Sequence, residues 1–229
     1  MSSSSGQHAD APEPVEVRPA GRGAAPDADA SQPQAADAAP TTKERIVYAS
    51  AELFRRQGFS GTGVKQIVAE AKAPFGSLYH HFPGGKEQLG EQVIRIAGGM
   101  YGQLVAAVID PHADIVSGIE EAFRLAGVHL ADSGWADACP IATITLETAS
   151  SSEAMRTASR DVFEAWFAAL AGRFQEAGIP AERARSLAIS TLALLEGAFI
   201  FARAARTTEA LDAAGRTAAD AVRAALAER

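Results

Sequence analysis

From residue 41 onward, apolar residues recur at the three- and four-residue spacing of amphipathic helices. Thr41 and Glu44 form a capping-box pair ahead of Ile46, Ala49 and Leu53, with Val47 and Phe54 beside them, and Gly58 follows as a stop. A short second helix begins after Thr62-Gly63, carrying Val64, Ile67, Val68 and Ala71 on one face. Lys72-Ala73 make a brief turn. Pro74 suits the first position of a third helix, whose Phe75, Leu78, Tyr79 and Phe82 share a face. Pro83-Gly84-Gly85 then break the pattern.

Longer helices are predicted beyond this point, over about 86–109, 113–132, 153–177 and 181–205, with a short one after Cys139-Pro140. A last helix carries Leu211, Val222 and Leu226. Along the 153–177 stretch, Met155, Val162, Phe163, Trp166, Leu170 and Phe174 point inward. No strand alternation and no internal repeat is evident, so the predicted fold is all-α.

The run Ser186–Ala205 is long and apolar enough to suggest a membrane span. Glu196 lies in its middle and arginines flank it. A central carboxylate is costly in a bilayer, so burial against a partner subunit is the better reading and no membrane association is expected. Glu196 then needs a partner: an arginine across a dimer, a ligand cation, or solvent at an edge.

Charge divides the chain further. The whole carries −7, which argues against indiscriminate nucleic-acid binding. Residues 1–40 hold six acids, two arginines and six of the 11 prolines, with almost no branched aliphatics. Such a segment is expected to be a disordered acidic tail. Residues 41–90 carry +3 and contain every lysine, whereas 91–229 carry −6. The expected organisation is a tail over 1–40, a basic module over 41–88 and an acidic helical body over 89–229. One cysteine excludes a disulfide framework or a Cys-rich zinc module. Residues 1–40 lack the apolar run of a signal peptide, so a cytoplasmic protein is expected.

Thr62 to Phe82 carries the chemistry. Helix, short turn and helix, after a preceding helix, match a three-helix helix-turn-helix module, whose second helix lies in the DNA major groove. The reading face must be small or polar, as Gly76, Ser77, His80 and His81 are, with Tyr79 adjoining it. Leu78 and Phe82 anchor the opposite side. Thr62, Lys65 and Lys86 suit phosphate contact. His80 and His81 are neighbours and cannot readily chelate one metal, and Ser77 lacks the acid and oxyanion site a nucleophile needs. No metal, cofactor or catalytic residue is therefore expected.

The stretch GFSGTGVKQIVAEAKAPFGSLYHHFPGGKEQL, from Gly58 to Leu89, resembles the N-terminal domain of TetR-family regulators, and its ending is most similar to the LmrA/YxaF-type branch. The resemblance implies an all-helical homodimer with a DNA-binding head and a larger ligand-binding and dimerisation body on each subunit. By position it places Thr62, Gly63 and Lys65 at the start of the supporting helix. Phe75, Gly76, Ser77, Tyr79 and His80 fall on or beside the recognition surface, and Lys86 beside phosphate. Gly63 stands where Ser or Thr commonly caps the second helix, Lys72 replaces a usual turn glycine, and Phe75 stands where a polar residue is frequent. The Gly-Gly pair lengthens the following loop by one residue.

The expected function is a ligand-responsive, DNA-binding transcriptional repressor, released from a pseudo-palindromic double-stranded operator by a small apolar effector. An activator of the same fold is an alternative. A helical binding protein or enzyme with a vestigial head is another. The aromatics Phe123, Trp135, Phe163, Trp166, Phe167 and Phe199 are the candidate lining of an effector cavity between helices.

Overall fold

The computed structural model describes residues 39–137 and 139–228. The acidic-tail expectation falls on residues outside that range, apart from its last two. Among the described residues there are nine α-helices and no strand. They are α1 (Thr42–Gln57), α2 (Val64–Glu70), α3 (Phe75–His81), α4 (Gly85–Ile109), α5 (Ile115–Asp132), α6 (Pro140–Thr148), α7 (Glu153–Glu176), α8 (Ala181–Ala205) and α9 (Glu209–Ala227).

Local chemistry accounts for most boundaries. The Thr41 hydroxyl accepts from the Glu44 N–H, and the Glu44 carboxylate accepts from the Thr41 N–H at 2.7 Å, so the capping box closes in both directions. Those hydrogen bonds hold the Glu44 carboxyl below its ordinary pKa. Asp114 and Ser152 cap α5 and α7, their side chains accepting from the Ser117 and Met155 N–H groups. Pro74 occupies the N-cap of α3 rather than its first turn, because its extended ψ of 144° sets the entry angle. Lys72, where a turn glycine is usual, adopts a left-handed φ of 49°. The backbone between α2 and α3 thus keeps the conformation that glycine reaches without strain.

The first three helices close on a small core in which Ile46, Phe54, Ile67, Leu78 and Phe82 are all fully buried. That core does not end at residue 88. The same apolar cluster continues into Leu89, Val93 and Ile94 of α4, Ile141 and Ile144 of α6, and Met155 and Val162 of α7. A second cluster joins α5, α8, α9 and the C-terminal half of α7 around Phe123, Phe174, Leu187 and Val222. Residues 40–228 accordingly form one compact unit, with the head seated on α4, α6 and the start of α7. The long α4 and α7 cross closely at Gly98, where a Cβ would lie 2.5 Å from Val162 Cγ1.

Two helices, Gly85–Ile109 and Ala181–Ala205, have the length and apolar composition of a membrane span. Both are built into the bundle, contributing Leu89, Val93, Leu187 and Ala198 to the two cores.

Gly58 makes the joint between head and α6. Its φ of 78° is left-handed. A Cβ there would lie 2.1 Å from Glu147 Oε1. That carboxylate accepts from the Phe59 and Ser60 N–H groups at 3.2 and 2.7 Å. Gly58→Ala is expected to destabilise the fold by roughly 1–3 kcal/mol, from backbone strain plus loss of this clamp. Thermal unfolding checks it: in a Glu147→Ala background the same change should cost clearly less.

Candidate nucleic-acid interface and interior cavity

Helix α3 is a seven-residue rod held from behind by Leu78 and Phe82, both fully buried. Phe75 and Tyr79, expected on one face with these two, are not buried with them. Phe75 and Tyr79 are 50% and 49% exposed, with ring centroids 6.1 Å apart, and Gly76 and His80 are exposed beside them. Half-exposed large aromatics on a well-anchored helix form an apolar surface open to a partner. Ser77 and His81 are half-buried at the edges of this surface. The His80 and His81 rings pack edge to face at 5.0 Å. Among the described residues no cluster of His, Cys, Asp or Glu could hold a metal ion.

Flanking cations complete the surface. Lys65 is exposed on α2, next to the exposed Gln66. Gly63 is the N-cap of α2 with no side-chain cap, and open space surrounds the place its Cβ would occupy. Two residues expected at phosphate have partners inside the subunit. Thr62 is buried and donates its hydroxyl to the Gly58 carbonyl at 2.8 Å, so its side chain is committed to the joint rather than free for phosphate. Lys86 lays its Nζ 4.1 Å above the Phe59 ring. Burial lowers the pKa of that ammonium, and the Glu147 carboxylate opposes the shift. Arg45, not singled out from sequence, braces the module by donating from Nε to the Ala71 carbonyl at 3.0 Å.

Between α4, α5, α7 and α8 lies a cavity of about 450 Å³, lined mainly by apolar side chains. Its size suits a small organic ligand. Phe123, Trp166 and Phe199 stand on its wall. Trp166 is fixed there by donating its indole N–H to the Gly98 carbonyl at 2.9 Å. The other three candidate aromatics lie elsewhere. Phe163 and Phe167 stack on each other with centroids 6.5 Å apart, and Arg185 covers Phe167. Trp135 sits in the turn after α5 with a left-handed φ of 66°, packed against the body core.

The cavity has a polar corner that residue spacing did not reveal. Glu196 projects into it from α8, on the same helical face as Leu192, Leu195 and Phe199. Cys139 borders it too, with its thiol beside the Glu196 carboxyl. Burial pushes the Glu196 carboxyl upward, and the neighbouring Cys139 thiol works against that. Burial and the Glu196 charge push the Cys139 thiol up as well, which makes it a poor nucleophile. Cys139 caps α6, its Sγ accepting from the Ala142 N–H at 3.4 Å.

Asp137 also lines the cavity and forms an ion pair with Arg55 of α1. Both side chains are largely shielded, at 13% and 14% exposed. Arg55 is held from its other side by Glu52, with Nη2–Oε1 at 2.6 Å. The wall of the cavity is therefore tied to the head at Arg55. A few residues further on, α6 holds the loop before α2 through Glu147.

Comparison with known proteins agrees with this architecture. Residues 46–93 match the tetR family of bacterial regulatory proteins, and residues 116–217 match the C-terminal domain of LmrA/YxaF-like transcriptional regulators. The HTH-type transcriptional regulator YxaF of Bacillus subtilis is 33% identical over 156 residues, spanning 68% of this chain and 82% of the relative. The HTH-type transcriptional regulator LmrA of the same organism is 29% identical over 74% of this chain and 90% of its own. The crystal structure of a regulatory protein TetR from Rhodobacter sphaeroides superposes with a TM-score of 0.69 at 23% identity, over 78% of this chain and 97% of that one.

Proposed function

The chain belongs to the TetR family of DNA-binding transcriptional regulators, with an LmrA/YxaF-like C-terminal domain, and from that premise we propose that it is a ligand-released repressor. It is a regulator and not an enzyme. It works in the cytoplasm as a homodimer, each subunit placing α3 in the major groove of one half of a pseudo-palindromic operator. Tyr79, Phe75, Gly76, Ser77 and His80 meet base edges or the adjoining backbone. Lys65, His81 and Lys86 serve the phosphates, with Gly63 allowing close approach at the start of α2. The domain division that goes with this role is a head over 41–88 and an effector-binding and dimerisation body over 89–229.

The observation that supports ligand release is the ion pair between Asp137 on the cavity wall and Arg55 at the end of α1. An effector that displaces the stretch from Asp137 to Glu147 pulls on α1 and on the loop before α2 together. Release then needs only that the effector prefer the displaced conformer. A 100-fold loss of operator affinity corresponds to about 2.7 kcal/mol of such preference.

The reading surface is tested by Tyr79→Ala. With an operator selected from random duplexes, affinity should fall by roughly 1–3 kcal/mol, the scale of one lost specific contact. Binding to unrelated duplex and the oligomeric state should stay as they were. Because the Tyr79 ring is half exposed, the substitution should cost the fold little. An operator affinity unchanged by the substitution would exclude α3 as the reading helix.

A further inference from the structure

We propose that the cavity takes hydrophobic monocations, with the Glu196 carboxylate as their counter-ion. The inference rests on the reading of the cavity as the effector site and adds the charge of the occupant.

The balance of charges around the cavity points this way. Three carboxylates line it, from Asp132, Asp137 and Glu196, against Arg173 and His129. Arg173 is already held by Asp110, with Nε–Oδ1 at 2.6 Å and Nη2–Oδ2 at 2.9 Å. Arg55, the nearest cation of the head, is shared between Asp137 and Glu52. His129 stands at the rim with its side chain 71% exposed, near Asp137 rather than Glu196. Among the described residues no Lys, Arg or His pairs with Glu196, and the group beside it is the Cys139 thiol. A thiol is a weak donor and brings no charge.

A mostly buried carboxylate without a cation is unfavourable, and a ligand that supplies the cation removes that cost. The walls around Glu196 suit the rest of such a ligand. Phe123, Trp166 and Phe199 offer aromatic faces, which attract a desolvated cation and cover its hydrocarbon parts. An anionic ligand would set a second negative charge beside Glu196. Burial raises the pKa of Glu196, the direction expected of a carboxylate with no cation beside it.

The test compares two molecules of the same shape on the full chain by isothermal titration: benzyltrimethylammonium, and neopentylbenzene, in which carbon replaces the quaternary nitrogen. The wild-type protein should bind the cation at least about tenfold more tightly, a difference of about 1.4 kcal/mol. Glu196→Gln keeps the shape of the side chain, and its melting temperature verifies folding. It should abolish the preference by weakening the cation, while leaving neopentylbenzene within about twofold. Equal affinities in the wild type, or a cation affinity unchanged by Glu196→Gln, would overturn the proposal. If neopentylbenzene still binds in those cases, the cavity remains the effector site and only the charge claim falls. If neither molecule binds, the charge claim falls and the cavity reading loses its support with it. The wild-type comparison needs no variant, so a poorly folded Glu196→Gln leaves the test intact.

Discussion

Replacing Ile200 and Phe201 by aspartate is expected to convert the protein to a monomer and to lower its affinity for a two-half-site operator by roughly 100- to 10,000-fold, the range by which linked binding exceeds single-site binding. The reason lies on the outer face of α8. Ile200 and Phe201 are 60% and 67% exposed. Ile189, Ala193 and Ala204 are exposed on the same side of the helix, so small and apolar residues run along it. An apolar strip of this kind on a helix face marks a protein contact. The side chains are already solvent-exposed in the single subunit, so charging them costs the isolated fold little. Circular dichroism and affinity for a single half-site should therefore be nearly unchanged, while sedimentation should report half the mass. A double variant that still sediments as a dimer would remove α8 from the interface.

The second large effect is expected at the Arg55–Asp137 pair. Arg55→Met leaves Asp137, among the described residues, only the exposed His129 imidazole at 3.9 Å. Stranding a largely buried carboxylate costs about 3 kcal/mol, which should lower the melting temperature by several degrees. Adding Asp137→Leu to the same chain removes the stranded charge and should restore most of the loss, since an apolar pair of similar size tolerates burial. The doubly substituted protein is then folded but lacks the tie between cavity wall and α1. It should bind operator nearly as the wild type does. Any molecule that releases the wild type from DNA should release it far less. A double variant that responds as fully as the wild type would show that the signal passes elsewhere, through the α4 packing or the Glu147 clamp.

How far the sequence disclosed these features depended on the distance between the residues concerned. The capping box at Thr41, the stop at Gly58 and the span of α8 rest on neighbours within a few positions, and local spacing alone fixes them. The fold class follows from the same short-range periodicity, but on α3 that spacing groups Phe75 and Tyr79 with Leu78 and Phe82, and only the latter two are buried. The cavity does not. Phe163, Trp166 and Phe167 all lie on α7, yet only Trp166 reaches the cavity wall. A helix with apolar residues on two faces does not reveal in its own sequence which face borders a void. Trp135 was beyond reach for another reason: its left-handed turn directs it to the body core. The Arg55–Asp137 pair joins α1 to the segment before α6, and the Glu147 clamp joins α6 to the loop before α2. Such contacts depend on tertiary packing, which no local pattern carries. The same holds for the head, whose core merges with α4, α6 and α7 where composition alone suggests a boundary.

The central claim is that two copies of α3, paired through the body, read two half-sites at once. Selection of bound duplexes from a random pool by the full-length protein tests it most directly, with the mass of the selected complex measured by sedimentation. The account expects a pseudo-palindromic consensus with half-sites about one helical turn or a little more apart, and an even number of chains on each duplex. A pool that yields no consensus, or a lone half-site carrying one chain, would contradict it.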